Sequence, residues 1–439
     1  MPELNKKAFA FPACEAYDES MKTEGRIPMY YYSVHQTLAA SLLPNLPFPA
    51  AEAGVPELFF LKRDPRQGSA AFRVSHASQL FAECVDVSWL DPARMAPAPE
   101  LPAEVYSALE SGTLTAVNLN HPRWQDALQF TTPKAEKKRV HLLAVGDVGG
   151  TLLTALKLLG GDCVSTIGIC DLNANTVARW TTEMGQIAWP WDYDALPEVE
   201  AVTPDRLFDC DVFIFAATKA IPPVGSEIKD VRMAQFEANR PLVENFARQA
   251  RNAHFGGLFI VLSDPVDPLS RAAWQASNLD NDGNWDGLGL LPEQVQGFGL
   301  GVMNARAAYF AKQDDRFSAF LSEGRSFGPH GKGLVIANSV EHYDDTLSRE
   351  LTELVETANL RVRDLGFKPY VAPAVSSGAM QLLLTLRGEW HCSSVNLGGI
   401  WFGVRNRYTS RGLETETLSL PDKLFRRLQE TEESLHKIV

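Results

Sequence analysis

The sequence has few of the features that mark membrane or secreted proteins. No apolar run reaches the roughly eighteen residues needed to cross a membrane, and the N-terminus lacks the apolar core of a signal peptide. Only 6 of the 439 residues are cysteines, without the paired spacing of a disulfide framework or a metal site. These absences predict a cytoplasmic protein with reduced cysteines, no membrane partner and no metal site.

Clustered positive charge is also missing. The chain carries 41 Lys and Arg against 54 Asp and Glu, a formal net charge of -13. A nucleic-acid surface needs clustered Lys and Arg to displace counterions, so we expect no nucleic-acid partner. The composition, with 45% hydrophobic and 22% charged residues, is that of a globular protein, and the length predicts two or three domains.

The stretch 139–173 has the pattern of one βαβ unit. Its apolar run 140–145 predicts a parallel strand that is buried on both faces. Gly146 then allows a sharp turn and the approach of a pyrophosphate, while Gly149 allows the following helix to lie close to the strand. Ala144 replaces the first glycine of the usual G-x-G-x-x-G pattern. A tight turn without a ligand is the alternative interpretation of this motif.

An acidic residue ends the second strand of this unit. The run 164–170 is apolar, and Asp171 follows it, where a carboxylate can accept both ribose hydroxyls of an adenosine. The same carboxylate would repel a 2′-phosphate, so the pattern predicts NAD rather than NADP. The cofactor-binding residues predicted in this unit are Gly146, Val148, Gly149 and Asp171.

Strands and helices continue to alternate after this unit. Apolar runs at 209–218 and 258–262 predict two further strands, and a helix is predicted over about 233–252. This alternation predicts a doubly wound parallel sheet, whose ligands lie at the carboxyl ends of the strands. Asp264 and the loop 219–232 fall at such ends.

The βαβ unit and three later segments resemble motifs of the lactate and malate dehydrogenase family. LSDPVDPLSRAAW resembles the family segment V-S-N-P-V-D beside the nicotinamide, QVQGFGLGVMNARAAYF its substrate helix, and FGPHGKG its turn with the catalytic histidine. The resemblance implies an oxidoreductase that transfers a hydride between NAD and a 2-hydroxy or 2-oxo acid. It covers roughly 139–439.

The resemblance also implies roles for single residues. His330 would be the acid and base, Arg306 would bind the substrate carboxylate, Ser263 would lie beside the cofactor, and Arg232 would polarise the substrate carbonyl. Histidine suits proton transfer because its ordinary pKa lies near neutrality, and arginine can grip a carboxylate with two parallel hydrogen bonds. The loop 219–232 resembles the family's mobile active-site loop.

Two departures from the family pattern concern the catalytic histidine. The aspartate that orients it is replaced by Met303, and the asparagine of V-S-N-P is replaced by Asp264. We expect Asp264 to take over the partner role and to raise the pKa of His330. Capping of local N–H groups is the alternative role for Asp264. An apolar residue near Ile221 favours an aliphatic 2-oxo acid over a dicarboxylate, although Lys219 is close enough in sequence to reach a second carboxylate.

We therefore expect an α/β protein in three parts. An N-terminal extension of unknown role over 1–135 precedes a doubly wound Rossmann domain over 136–290 and an α+β catalytic domain over 291–439. The extension is expected to pack on the body or on a neighbouring subunit, with a Pro-rich connector at 96–102. The expected partners are a small carboxylate substrate and further copies of the chain in a dimer or tetramer.

Two other functions remain open at this stage. Met303 and the extension also fit a catalytically weak NAD-binding protein with a regulatory or assembly role. An NAD- and metal-dependent glycosidase of similar fold would have a cysteine ligand where Asp264 stands.

Overall fold

The computed structural model describes residues 28–54, 57–64, 68–82, 85–130, 136–219 and 231–438. In this part of the chain the strands form a five-stranded sheet, a nine-stranded sheet and a two-stranded ribbon. None of its helices is both long enough and apolar enough to span a membrane. The prediction made for Ile221 lies outside the described residues.

The N-terminal region forms the five-stranded sheet. Its elements are the strands β1 (Tyr30–Val34), β2 (Thr37–Ser41), β3 (Leu58–Lys62), β4 (Ala71–Arg73) and β5 (Leu114–Asn118), and the helices α1 (Ala103–Glu110) and α2 (Trp124–Phe130). The strand order is β1-β2-β3-β5-β4, with β2, β3 and β5 parallel and the outer strands antiparallel to their neighbours. Apolar side chains fill the central strand β3, in which 58–61 are all buried.

This sheet packs on the rest of the protein, as expected for the extension. Leu58 and Phe60 of β3 share one apolar core with Phe402 and Leu424, close to the other end of the chain. The Pro-rich segment 96–102 does not connect two domains, because α1 and β5 follow it within the same region. A cut in this segment would therefore separate β5 from the other four strands of the same sheet.

A buried carboxylate adds a polar contact between the two parts. The Glu293 side chain, in a residue that is 5% exposed, accepts hydrogen bonds from the main-chain N–H groups of Ala70 at 2.6 Å and Ala71 at 2.8 Å. Its second oxygen has no hydrogen-bond partner among the described residues. Burial raises the pKa of Glu293 to about 7.

The nine-stranded sheet begins with the predicted βαβ unit. Its first part consists of β6 (Lys138–Leu143), α3 (Asp147–Leu159), β7 (Val164–Cys170), α4 (Ala174–Gly185), β8 (Glu198–Ala201), β9 (Val212–Phe215), α5 (Val231–Asn252), β10 (Leu258–Val261), α6 (Val266–Ser277) and β11 (Val295–Gly297). The order β11-β10-β9-β6-β7-β8 is parallel throughout. The predicted α/β class with a doubly wound parallel sheet is confirmed.

The C-terminal part extends the same sheet. Its elements are α7 (Leu300–Ala311), α8 (Phe320–Glu323), the ribbon β12 (Arg325–Phe327) and β13 (Val335–Ala337), α9 (Asp345–Asp364), α10 (Met380–Leu386), β14 (His391–Leu397), β15 (Ile400–Thr409), β16 (Gly412–Thr415) and α11 (Asp422–His436). Strand β14 pairs antiparallel with β11, and β15 and β16 continue the sheet. The closing antiparallel strands are therefore joined to the parallel strands, and the boundary at 290 does not interrupt the sheet.

Candidate active site

The glycine turn between β6 and α3 is built for close backbone approach. A Cβ atom added to Gly149 would lie 2.0 Å from the carbonyl oxygen of Ala144, so only glycine fits there. Ala144 itself has a φ of 74°, the left-handed conformation that the missing glycine would adopt without strain. A Cβ added to Gly146 would meet nothing within 4 Å, which leaves the N-terminus of α3 open on that side. Val148 packs against the apolar core of this unit.

Asp171 lies at the end of β7 and supports the glycine turn. One carboxylate oxygen accepts a hydrogen bond from the main-chain N–H of Val145 at 3.0 Å, and the other from that of Asn173 at 3.1 Å. Each oxygen keeps a lone pair for a further donor. The acid is therefore held in place at the carboxyl end of the sheet and can still accept ligand hydroxyls.

His330 is fixed by two hydrogen bonds in the turn between β12 and β13. Its ring Nδ1 lies 2.9 Å from the carbonyl oxygen of Gly299, and its main-chain N–H donates to Asp267 at 3.0 Å. Because a carbonyl only accepts, Nδ1 carries the hydrogen and Nε2 of the neutral ring has the free lone pair. A Cβ on Gly299 would lie 2.6 Å from the His330 Cβ, so glycine allows this approach.

Asp264 faces the ring of His330, as expected, but it does not form the hydrogen bond that orients the ring. Its carboxylate lies 3.8 Å from His330 Nε2, on the side of the ring opposite Nδ1. The Gly299 carbonyl, rather than Asp264, therefore orients the ring where Met303 has replaced the usual aspartate. The sequence motif could not reveal this partner because a main-chain carbonyl carries no residue identity.

Asp264 raises the pKa of His330, as expected, but the net pKa lies below its ordinary value. Burial lowers this pKa, and the guanidinium groups of Arg232 and Arg306 lower it further, against the opposing effect of Asp264. The side chain of His330 is 13% exposed, whereas that of Asp264 is 51% exposed. The site therefore favours a neutral imidazole.

Two arginines flank the histidine, as their positions in the sequence predicted. Arg232, at the start of α5, donates a hydrogen bond to the main-chain oxygen of His330. Arg306, on α7, lies with one guanidinium nitrogen 3.4 Å from the carbonyl oxygen of Val355 and 3.6 Å from the sulfur of Met303. Burial lowers the Arg306 pKa and Asp264 opposes this effect. Within the described residues no carboxylate lies within ion-pair distance of Arg306.

Asp267 is a buried acid to which the sequence analysis assigned no role. It lies in the first turn of α6, is 5% exposed, and accepts the hydrogen bond from the main-chain N–H of His330. Burial raises its pKa to about 6. The sequence did contain a signal for this role, because Asp267 is the second acidic residue of the segment that resembles V-S-N-P-V-D, three residues after Asp264. Asp267 holds the turn that carries the catalytic candidate.

The curated proteins to which this chain is similar include two L-lactate dehydrogenases. No model of a known protein family matches the chain. The L-lactate dehydrogenase of Treponema denticola is 25% identical over 196 residues, which cover 45% of this chain and 56% of that protein. That of Corynebacterium jeikeium is 22% identical over 245 residues, covering 54% and 69%. The chain thus spans little more than half the length of the first enzyme.

Solved structures show the same fold. A lactate dehydrogenase from a Medee basin deep-sea metagenome library has a TM-score of 0.55 at 16% identity, covering 69% of this chain and 98% of that one. A malate dehydrogenase from Archaeoglobus fulgidus, solved in complex with NADH, has a TM-score of 0.54 at 17% identity, covering 68% and 98%. The chain therefore has the fold of lactate and malate dehydrogenases and is distantly similar in sequence to L-lactate dehydrogenases.

Two further sets of polar contacts near the site could not be seen in the sequence. The Asn239 side chain, fully buried on α5, donates to the carbonyl oxygen of Asp264 at 2.9 Å and accepts from the main-chain N–H of Lys219 at 2.8 Å. Lys368 forms an ion pair of 2.8 Å with Asp147, in the first turn of α3. These pairs join segments far apart in sequence, so no local motif could indicate them.

The described residues contain one group with metal-ligand spacing, and it involves none of the predicted site residues. It consists of Glu323, Glu341 and His342, of which the last two are exposed. Glu323 already accepts hydrogen bonds from Ser339 and from His342 Nδ1, the latter at 3.0 Å. Local hydrogen bonding accounts for this arrangement.

Proposed function

We propose that the chain is an NAD-dependent oxidoreductase that transfers a hydride to or from C2 of a small carboxylic acid. The observation that carries this proposal is the position of His330. Its Nε2 is free, faces Asp264, and lies among Arg232 and Arg306 beside the end of β10. The similarity to L-lactate dehydrogenases and to an NADH-bound malate dehydrogenase supports the same reaction class.

The residues at the carboxyl edge of the sheet fit a dinucleotide. Gly146 leaves the helix N-terminus open to a pyrophosphate, and Asp171 keeps free lone pairs for ribose hydroxyls. The Ser263 hydroxyl at the end of β10 is buried without a hydrogen-bond partner among the described residues, as expected for a group that binds a ligand. Bound NAD would supply the hydride acceptor or donor.

Three side chains of the substrate half would bind the substrate, transfer the proton and stabilise charge. Arg306 would bind the substrate carboxylate, because its guanidinium is partly buried and has no carboxylate partner in the described structure. His330 Nε2 would accept a proton from the group on C2, and the Gly299 carbonyl would keep that nitrogen aimed at it. Arg232 would stabilise negative charge that develops on the oxygen bound to C2.

Cofactor binding tests this proposal first. Titration with NADH, followed by its fluorescence, should give saturable binding, and NADPH should bind more weakly because Asp171 would face the 2′-phosphate. Asp171→Ser should reduce this preference. Equal affinities of the wild-type chain for the two nucleotides would contradict the assignment of Asp171, and the absence of binding to either would contradict the function.

The loss of the usual aspartate at Met303 favours one other function, a catalytically weak NAD-binding protein with a regulatory or assembly role. Such a chain would bind NADH normally and show no hydride transfer with any acid tested. Dimer or tetramer formation, a cytoplasmic location and the three domain boundaries remain predictions.

A further inference from the structure

Two hydrogen-bond acceptors face each other in the candidate active site. Asp264 Oδ1 and His330 Nε2 are 3.8 Å apart, beyond hydrogen-bond distance. A carboxylate only accepts, and Nε2 also accepts because the ring hydrogen is engaged at Nδ1 by the Gly299 carbonyl. A ligand group bound between these atoms satisfies both only if it donates two hydrogens.

Donor counting separates the candidate substrates. A carbonyl oxygen donates no hydrogen and a hydroxyl donates one, whereas an ammonium group has three N–H bonds. The family asparagine at this position would offer an amide N–H to an oxygen, but Asp264 offers none. A 2-oxo acid would therefore bring its carbonyl oxygen towards a carboxylate, and a 2-hydroxy acid would leave one of the acceptors without a partner.

The charges of the site also favour a ligand that carries an ammonium group. Arg306 is partly buried without a carboxylate partner in the described structure, and its pKa responds to the charge of Asp264, which places the two groups in the same electrostatic environment. Asp264 is half exposed. A cation and an anion that are both available to a ligand complement a zwitterion, with its carboxylate on Arg306 and its cationic group at Asp264.

We propose that the substrate is a 2-amino acid, with its ammonium group bound between Asp264 and His330. This inference rests on the proposed function and specifies its substrate class. An ammonium proton passes to His330 Nε2, and the C2 hydride passes to NAD⁺, which leaves a 2-iminium acid, NADH and a proton. Addition of water to the iminium carbon then releases ammonium and the 2-oxo acid, so that atoms and charges balance.

Equilibrium binding tests the inference without relying on turnover. Calorimetric titrations of the NADH-saturated protein would compare L-alanine, L-lactate and pyruvate, and then L-phenylalanine, L-phenyllactate and phenylpyruvate. We expect each amino acid to bind at least about tenfold more tightly than its hydroxy and oxo counterparts. Asp264→Asn should reverse the order, because its amide can donate to oxygen, whereas Asp282→Asn, at an exposed carboxylate, should leave the order unchanged.

A ligand series keeps the test independent of any variant's folding. N,N-Dimethyl-L-alanine has a single N–H when charged, so the wild-type protein should bind it about tenfold more weakly than L-alanine. Tighter binding of L-lactate or pyruvate than of L-alanine, in a protein that binds NADH, would overturn the amino acid assignment while the proposed function stands. If NADH itself does not bind, the proposed function fails instead.

Discussion

The cofactor half and the substrate half of this site are built from different parts of the polypeptide. At the glycine turn the main chain makes the shape, through the close approach of Gly149 to Ala144 and the open side of Gly146. At the substrate end the shape depends on side chains, His330 and Asp264 among them. Backbone shape needs particular residues at fixed spacing, whereas side-chain chemistry can change by one substitution.

This difference predicts where divergence can accumulate. The glycine turn keeps its geometry even with Ala144 in a left-handed conformation. In the substrate half, Met303 and Asp264 instead depart from the motif that the sequence resembles, and a main-chain carbonyl is the hydrogen-bond partner of His330 Nδ1. The cofactor half of the site thus keeps the expected backbone geometry, while the side chains of the substrate half differ from the family motif.

Replacing His330 by Asn should have the largest effect, and it separates the two halves. Turnover should fall by about 10²–10⁴-fold, because asparagine cannot take up the proton that Nε2 accepts in the proposed reaction, while NADH affinity should stay within about twofold. Steady-state kinetics and fluorescence titration measure the two quantities. His342→Asn, at an exposed histidine, is the matched control. A variant that keeps full turnover would remove His330 from the chemistry.

A pair of alanine substitutions tests the backbone half. Gly149→Ala places its Cβ 2.0 Å from a carbonyl oxygen and should lower the free energy of unfolding by about 3 kcal/mol. Gly146→Ala meets no atom within 4 Å and should leave stability nearly unchanged while weakening NADH binding. Denaturant unfolding and NADH titration of both variants distinguish these outcomes. Equal destabilisation by the two substitutions would contradict the close-approach argument.

The N-terminal sheet adds a third region, whose contact with the body should depend on pH. The pKa of Glu293 is raised to about 7, so the folded state binds a proton between about pH 4.5 and 7 that the unfolded state has lost. The contribution of Glu293 to the free energy of unfolding therefore falls as pH rises through that window, by up to about 3 kcal/mol. The stability difference between wild type and Glu293→Gln should change accordingly between pH 5 and 8, whereas Glu110→Gln should give no such change. A pH-independent difference would rule out this titration.

The smallest expected effect concerns the ion pair beside the glycine turn. Lys368→Ala should weaken NADH binding by no more than about fivefold, because the Asp147 carboxylate would then face the pyrophosphate without a counter-ion. The loss should shrink at high salt, since both side chains are exposed. Lys312→Ala provides the control. If the NADH affinity is unchanged at low salt, the Lys368–Asp147 ion pair has no role in cofactor binding.

The sequence predicted the features that depend on local pattern but not the contacts that depend on packing between segments. The apolar runs at 140–145 and 164–170 and the spacing of Gly146, Gly149 and Asp171 locate strands, turn and acid to within a few residues, because each depends on local pattern. The positions of His330 and Arg306 followed from motifs. The contacts around the site did not follow, because Gly299, Asn239 and Lys368 meet their partners through packing between separate segments, which a single sequence does not record.

The shared core at the N-terminal sheet has a consequence for synthesis of the chain on the ribosome. Arg94 is bonded to Asp422, and the main-chain N–H of Leu420 donates to Asp91, which lies 329 residues earlier. At roughly 5 to 20 residues per second, these partners emerge about 15 to 65 s after the segment they join. During that interval the apolar core that contains Leu58 and Phe60 lacks the residues that Phe402 and Leu424 contribute to it. The nascent N-terminal sheet therefore exposes part of its apolar surface until α11 has been synthesised.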